Sequence, residues 1–287
     1  MSGILPLYNG DDALLATMHA KERVIEPLAR RFLGLRLTVA ANIDTDAFGT
    51  FSRDVARAGS QLDAARAKIE AAFAIDPTID VALASEGSFG PHPYLPFCPL
   101  EREIVVLHDR RTGLELIGHH ATPDTNFAHA VVSDIDAGLA FAERAGFPAH
   151  GVIVLGARDG QPAPDLALVK SAESRGELAT AITETLAKGG TAFIETDMRA
   201  HRNPRRMRAI RRAMIDLIRK ARSPCPDCRQ PGFAITERLS GLPCKWCAAP
   251  TLLTRADVWT CSSCGLRREQ PIAAIKADPG HCPECNP

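Results

Sequence analysis

Eight of the chain's nine cysteines stand in four Cys-x-x-Cys pairs within residues 225–287: Cys225/Cys228, Cys244/Cys247, Cys261/Cys264 and Cys282/Cys285. A thiolate pair two residues apart sits on a tight turn that aims both sulfurs at one ion. Zinc takes four such ligands at about 2.3 Å in a structural site. Fifteen residues separate Cys228 from Cys244 and seventeen separate Cys264 from Cys282, spacings that fit zinc ribbons. Two structural Zn²⁺ ions are therefore expected. The order along the chain predicts sequential sites: Cys225, Cys228, Cys244 and Cys247 for one ion, then Cys261, Cys264, Cys282 and Cys285 for the other. Interleaved pairing is the alternative. No ligand position is left open for water, which disfavours catalysis at these ions.

Gly265 follows Cys264 where a left-handed turn residue is useful, and Pro224, Pro226, Pro243 and Pro283 stiffen the turns. Trp246 and Trp259 are the chain's two tryptophans and are expected in a small core here. So short a segment has little apolar area to bury, so metal would supply folding free energy. Cys98 lies far from the pairs, among prolines and beside Phe97, and reads as a packed thiol.

A second set of residues could handle phosphate. Glu195 and Asp197 alternate along an extended segment, so their carboxylates face one side. With Glu86 they could hold Mg²⁺, water and phosphate completing its shell. Lys21, Arg199 and Arg202 are the matching cations for the phosphates, and His201 is a further candidate catalytic group. The stretch from Glu195 to Arg202 would equally serve as a cluster of helix-capping groups and ion pairs.

These residues fall where strands end, the usual place for ligands in open α/β sheets. A short apolar strand over residues 14–17 leads into Thr17, His19, Lys21 and Glu22, then a helix to about Phe32. A second strand covers 35–41, and 44–51 is a loop. Ser60 could cap a helix to about Ala74 with a stripe at Leu62, Ala65, Ile69 and Phe73. A buried strand over 80–85 ends in Glu86 to Pro93. A hairpin follows over 103–119, leading to His119, His120, Asp124, Thr125 and Asn126. Helices are predicted over 134–145, 173–188 and 204–221, and strands over 151–155 and 191–196; residues 156–165 read as a surface loop or boundary. The fold class is α/β, with a mixed sheet flanked by helices over residues 1–221 and a small zinc-ribbon module with four-cysteine sites over 222–287.

The last helix is basic: Arg205, Arg206, Arg208, Arg211, Arg212, Arg219, Lys220 and Arg222, opposite an apolar face of Ile210, Met214, Leu217 and Ile218. Such a helix running into zinc ribbons could meet nucleic acid. The chain as a whole is neutral, with 34 basic and 34 acidic residues, so no global field draws it to nucleic acid or membrane. No apolar run reaches the ~18 residues of a membrane span. The N-terminus lacks a signal-peptide pattern, and reduced thiols point to the cytoplasm.

Three stretches carry a resemblance: Phe48-Gly49-Thr50-Phe51, Ser85-Glu86-Gly87-Ser88-Phe89-Gly90-Pro91-His92-Pro93, and Glu195-Thr196-Asp197-Met198-Arg199-Ala200-His201. They resemble a bacterial domain-of-unknown-function family, numbered six-six-seven-one, over about residues 12–221, with the cysteine tail as a companion module. Its name implies no activity. A second likeness is to the inosine/xanthosine triphosphate pyrophosphatase fold. Ala16-Thr17-Met18-His19-Ala20-Lys21 is similar to the Thr-x-x-x-Lys turn of those enzymes, and Ala84-Ser85-Glu86-Gly87 to their acidic strand end. The likeness implies phosphate contact by Lys21 and Mg²⁺ binding by Glu86. Residues 121–221 have no counterpart in it.

The leading expectation is thus a Mg²⁺-dependent enzyme or binder acting on a phosphorylated small molecule such as a nucleotide. The alternative is a non-enzymatic factor that binds nucleic acid or protein through the zinc ribbons and the basic helix.

Overall fold

The computed structural model describes residues 7–40 and 59–287, so the loop over 44–51 and the Phe48–Phe51 stretch lie outside the described residues. The chain divides into two compact units, Tyr8–Ile218 and a smaller one containing Arg219–Pro287.

The larger unit begins β1 (Asp11–Ala16), α1 (Glu22–Leu33), β2 (Leu35–Val39), α2 (Gln61–Ile75) and β3 (Val81–Pro91). β1 pairs in parallel with β2 on one side and β3 on the other. Connections between parallel strands are right-handed, so reversing direction at β1 puts α1 and α2 on opposite faces. Apolar residues of α2 (Ala65, Ile69, Ala72, Phe73) pack on Ala82, Ala84, Ile104 and Val106 of the sheet. α2 starts at a full capping box: Ser60 accepts from the Asp63 amide, and Asp63 accepts from the Ser60 amide at 2.9 Å.

β4 (Pro99–Asp109) and β5 (Leu114–Thr122) extend this sheet antiparallel, giving the order β2-β1-β3-β4-β5. β3 is longer than expected. It pairs with β1 only as far as Ala84 and then continues along β4 to Pro91. Glu86 to Pro91 are thus strand, where the sequence suggested a loop.

The single mixed sheet expected from sequence is in fact two sheets. The second holds β6 (His129–Val132), β7 (Val152–Arg158), β8 (Gln161–Val169) and β9 (Ala192–Thr196) in the order β6-β9-β7-β8, all antiparallel. Helices α3 (Ile135–Ala145) and α4 (Arg175–Gly189) contribute to one core with it: Leu139, Phe141, Leu178 and Ile182 meet Val152, Val154 and Ile194. Residues 156–165, read as a loop, form the β7–β8 hairpin, turning at Asp159 and Gly160, both left-handed. Pro162 and Pro164 disguise β8. Proline is tolerated there because β8 is an edge strand with a register shift opposite Leu155 and Gly156.

Helix α5 (Pro204–Ala221) starts at Asn203, whose Oδ1 accepts from the Arg206 amide at 3.1 Å. Gly118 of β5 lets α5 lie directly on the strand: a Cβ there would sit 2.6 Å from the Leu217 amide nitrogen and closer to the Ala213 carbonyl. The smaller unit has one antiparallel sheet of β10 (Ala234–Ser240), β11 (Thr254–Thr260) and β12 (Arg267–Pro271), in that order. No helix among the described residues is long and apolar enough to cross a membrane.

Candidate functional site

The eight paired cysteines form two tetrads, Cys225/Cys228/Cys261/Cys264 and Cys244/Cys247/Cys282/Cys285, each with its four sulfurs within 4.8 Å of one another. The expected sequential pairing is thereby corrected to the interleaved one. The reason lies in the sheet. Successive antiparallel strands deliver the chain to alternate ends. Ala234, following the first knuckle, pairs with Thr260, so Cys261 and Cys264 return beside Cys225 and Cys228. β12 runs back to pair Pro271 with Ala256, and Ala277 then bridges Cys244, bringing Cys282 and Cys285 to the second knuckle.

The sulfurs stand 3.7 Å (Cys225–Cys264), 3.6 Å (Cys228–Cys261), 3.9 Å (Cys244–Cys285) and 3.5 Å (Cys247–Cys282) apart. Disulfide sulfurs would be about 2.05 Å apart. A tetrahedron of thiolates at about 2.3 Å from a central ion has edges of about 3.8 Å. The tetrads therefore have the dimensions of four-thiolate metal sites.

Three knuckles share one backbone form. Cys225, Cys244 and Cys261 each accept at their carbonyl from the residue after the second cysteine, namely Arg229, Ala248 and Gly265. All three residues are left-handed, with φ of 65°, 62° and 73°. Gly265 alone was legible as a turn residue. Backbone N–H groups point at the first sulfurs, as from Asp227 to Cys225 and from Trp246 to Cys244, both at 3.4 Å. Such donation pulls the Cys244 and Cys261 thiols down to about 7 and about 6, while contact with the neighbouring sulfurs pushes Cys264 and Cys285 up to about 12. Trp259 stacks on Phe233 at 5.6 Å beside Cys225 and Cys261, as a core residue should. Trp246, expected in that core, is instead 76% exposed on its knuckle.

In the larger unit, charge is buried where β1 stops and β3 continues. Lys21, Lys68, Glu86, Glu101, Glu103 and Arg206 are all at most 6% exposed. Alternation along β3 puts Glu86 on the face of Ala82 and Ala84, where Lys68 of α2 forms an ion pair with it. Gly87 and Phe89 face the other side, opposite Glu103 and Glu101 of β4. There Arg206 reaches in from α5. Its Nε donates to Glu103 Oε1 at 2.7 Å, another guanidinium nitrogen donates to the Met198 carbonyl, and its guanidinium carbon lies 5.2 Å from the Phe89 ring centroid.

Lys21 stands where β1 would have continued and is therefore close to both faces. Its Nζ donates to the Ser85 carbonyl at 3.1 Å. Burial foremost, then the charge of Arg206, with Lys68 adding, pushes its amine down to about 7 against the pull of Glu86 and Glu103. Burial and the neighbouring Glu103 push the Glu101 carboxyl up to about 7, against Arg206 and the Thr125 hydroxyl. Neither Glu101 oxygen accepts a well-aligned hydrogen bond among the described residues.

The turn that delivers Lys21 is strained. His19 and Ala20 are successive left-handed non-glycine residues, with φ of 67° and 60°. The His19 ring stacks on His201 at 5.0 Å, so the loops after β1 and β9 meet. Burial, then Arg199, holds the His201 imidazole below its ordinary value.

Of the residues nominated from sequence, Lys21 and Glu86 share the buried cluster, and His201 adjoins it through His19. The others are engaged elsewhere. Arg199 forms a fork with Asp197, at 3.0 Å from Nε to Oδ1 and 2.7 Å from Nη2 to Oδ2, and also donates to the Lys170 carbonyl. Arg202 pairs with Glu173 at 2.7 Å and donates to the Ala172 carbonyl. Glu195 is buried between His129 and Ile153. Among the described residues, the oxygens of Glu86, Glu195 and Asp197 do not converge within reach of one ion. The capping and ion-pair alternative describes the post-β9 stretch: Asn203 caps α5, Asp197 holds Arg199, and Glu173 holds Arg202.

Sequence reasoning missed Lys68, Glu101 and Glu103, and read Arg206 as part of an exposed basic face. The available signal was Glu101-x-Glu103 leading into Val105 and Leu107 on the same side of the strand, two acids where a buried face begins.

Fold and tetrads together define an α/β protein carrying a cysteine-rich module with two potential metal centres. A profile of the family described as Domain of unknown function (DUF6671) matches residues 68–287, more than half of the chain, and the chain belongs to that family. The match begins at Lys68 and takes in both tetrads, so the cysteine module is part of the matched region and Lys21 precedes it. No curated protein matches the chain.

Proposed function

We propose that the larger unit binds the phosphate of a small phosphorylated molecule, such as a nucleotide, beside the carboxyl end of β1, and that the tetrads hold two structural Zn²⁺ ions. The observation that carries the reading is the strained His19-Ala20 turn, which places Lys21 in a buried charged cluster at the strand-order reversal. Ligands of doubly wound sheets gather at that point. Strain of this kind persists where function demands a geometry.

Lys21 supplies the cation. One of its three N–H donors is taken by Ser85, and no other hydrogen bond is formed by its amine among the described residues. An amine poised near neutrality accepts or releases a proton readily, which suits it to general acid or base work on a bound phosphate ester. Glu86 and Glu103 hold Lys68 and Arg206 in place around it. The likeness to the pyrophosphatase fold points the same way, since Lys21 and Glu86 are the residues it assigns to phosphate and metal. Mg²⁺ would enter with the phosphates. For the tetrads, all-sulfur donors at tetrahedral spacing suit zinc, and full coordination by protein leaves it a structural role.

The test is thermal-shift screening of the zinc-loaded full chain against nucleotides and sugar phosphates, with and without Mg²⁺, on wild type and Lys21→Met. A ligand at about 100 times its Kd adds about 2.7 kcal/mol of stability. A rise seen in wild type and lost in Lys21→Met supports the site. A rise undiminished in the variant, or none across the panel, removes it.

A further inference from the structure

We propose that the cleft between β5 and the first half of α5 is a separate binding site for a phosphate group. Gly118, His120 and Thr122 alternate on one face of β5. α5 touches that face at Gly118 and diverges toward its own N-terminus, so His120 and Thr122 line the wedge that opens. From the helix, Arg205, Arg208 and Arg212 enter it at spacings of three and four, one face of a helix.

Charge in the cleft is unbalanced. Arg205 has Asp124 at 3.4 Å, whereas Arg208 and Arg212 have no carboxylate partner among the described residues. Like charges at this spacing destabilise a helix slightly, and an anion between them reverses the sign. The positive end of the helix dipole adds to the attraction. The partly buried His120 feels the same field: burial, then Arg212, lowers its pKa against the opposing pull of Asp216.

Size limits the ligand. The cleft encloses about 140 Å³, below the roughly 300–1,000 Å³ that takes a whole drug-sized molecule. A phosphate group fits, and the rest of its molecule must lie outside. A neighbouring hollow of about 430 Å³ shares Arg205 and is lined by Phe127, His129, Phe141 and Arg144. The phosphate could thus belong to a small molecule whose body occupies that hollow, or to a nucleic-acid backbone continuing along α5. This site is independent of the one at Lys21.

The experiment follows the His120 imidazole by NMR in the zinc-loaded full chain, titrating inorganic phosphate, a mononucleotide and a short oligothymidylate. Wild type is compared with Arg208→Ala/Arg212→Ala, with Arg211→Ala/Arg219→Ala (equal charge removed outside the cleft), and with Lys21→Met. The His120 resonances are expected to shift with at least one probe. Affinity should fall about tenfold or more in the Arg208/Arg212 variant and persist in the other two. A salt slope for the oligonucleotide that drops by about 2 in that variant identifies a backbone ligand; saturation by phosphate or mononucleotide alone identifies a small one. Unmoved His120 resonances with every probe, or equal losses in the two double-arginine variants, would overturn the proposal.

Discussion

Gly87 of β3 stands directly across from Glu103 of β4, and its missing side chain is what lets the Glu103 carboxylate meet Arg206 in full burial. A Cβ at position 87 would lie 2.6 Å from Arg206 Nη2 and nearer still to Glu103 Oε1. The ion pair, the glycine and the Phe89 ring beneath the guanidinium form one packed unit joining α5 to the first sheet.

Removing one partner of a buried pair leaves an uncompensated charge and typically costs about 3–5 kcal/mol, whereas replacing both by apolar groups can be nearly neutral. Arg206→Met is therefore expected to destabilise by about that amount. Arg206→Met/Glu103→Leu should recover most of it, and Gly87→Ala should resemble the single variant. Urea unfolding measures all three. A double variant as unstable as the single one would mean that Arg206 acts through the Met198 carbonyl or packing, and not through Glu103.

The interleaved tetrads make a stoichiometric prediction. Cys225 and Cys261 belong to one tetrad, so Cys225→Ser/Cys261→Ser should retain one of two metal ions. Cys225→Ser/Cys244→Ser strikes both tetrads and should lose both ions, with unfolding of the small unit. Native mass spectrometry counts them. The opposite pattern would restore the sequential pairing.

Glu101 gives a pH signature. Its carboxyl ionises near 4.5 in the unfolded chain and near 7 in the folded one. Between those values the folded state holds the extra proton, so this group's contribution to stability falls as pH rises from about 4.5 to 7. Its penalty is absent below that window and complete above it. Glu101→Gln should therefore raise the thermal midpoint at pH 8, by roughly 2–4 °C per kcal/mol relieved, and leave it unchanged near pH 4.5. A gain independent of pH would point to packing and not to ionisation.

Much of this was legible because it follows local rules. Ser60 announced the start of α2, the helical pattern over 204–221 announced α5, and four Cys-x-x-Cys pairs the metal-binding module. The pairing of the knuckles was hidden because it depends on which end of a sheet each strand reaches, a property of strand order and not of spacing. Arg206 was hidden for a related reason. Helical periodicity places it among other arginines, and only the glycine and glutamate of two distant strands make a buried seat for it. Arg199 and Arg202 looked like phosphate ligands because arginine serves anions and carboxylates alike; Asp197 and Glu173 had already claimed them.

The turn before α1 offers the most direct test of whether strain at β1 serves a ligand. Ala20 pays for its left-handed backbone, which costs roughly 1–2 kcal/mol for a residue with a Cβ. Ala20→Gly removes that cost while adding about 0.5–1 kcal/mol of unfolded-state entropy, so the variant should be as stable as wild type or more so in urea. The same change frees the turn that holds Lys21 toward Ser85 and His19 against His201. Affinity for the phosphorylated ligand should then drop several-fold while stability holds or rises. Loss of both together would mark the turn as purely structural. Unchanged affinity would show that Lys21 is positioned by its burial between Glu86 and Glu103 alone, whatever the backbone before it does.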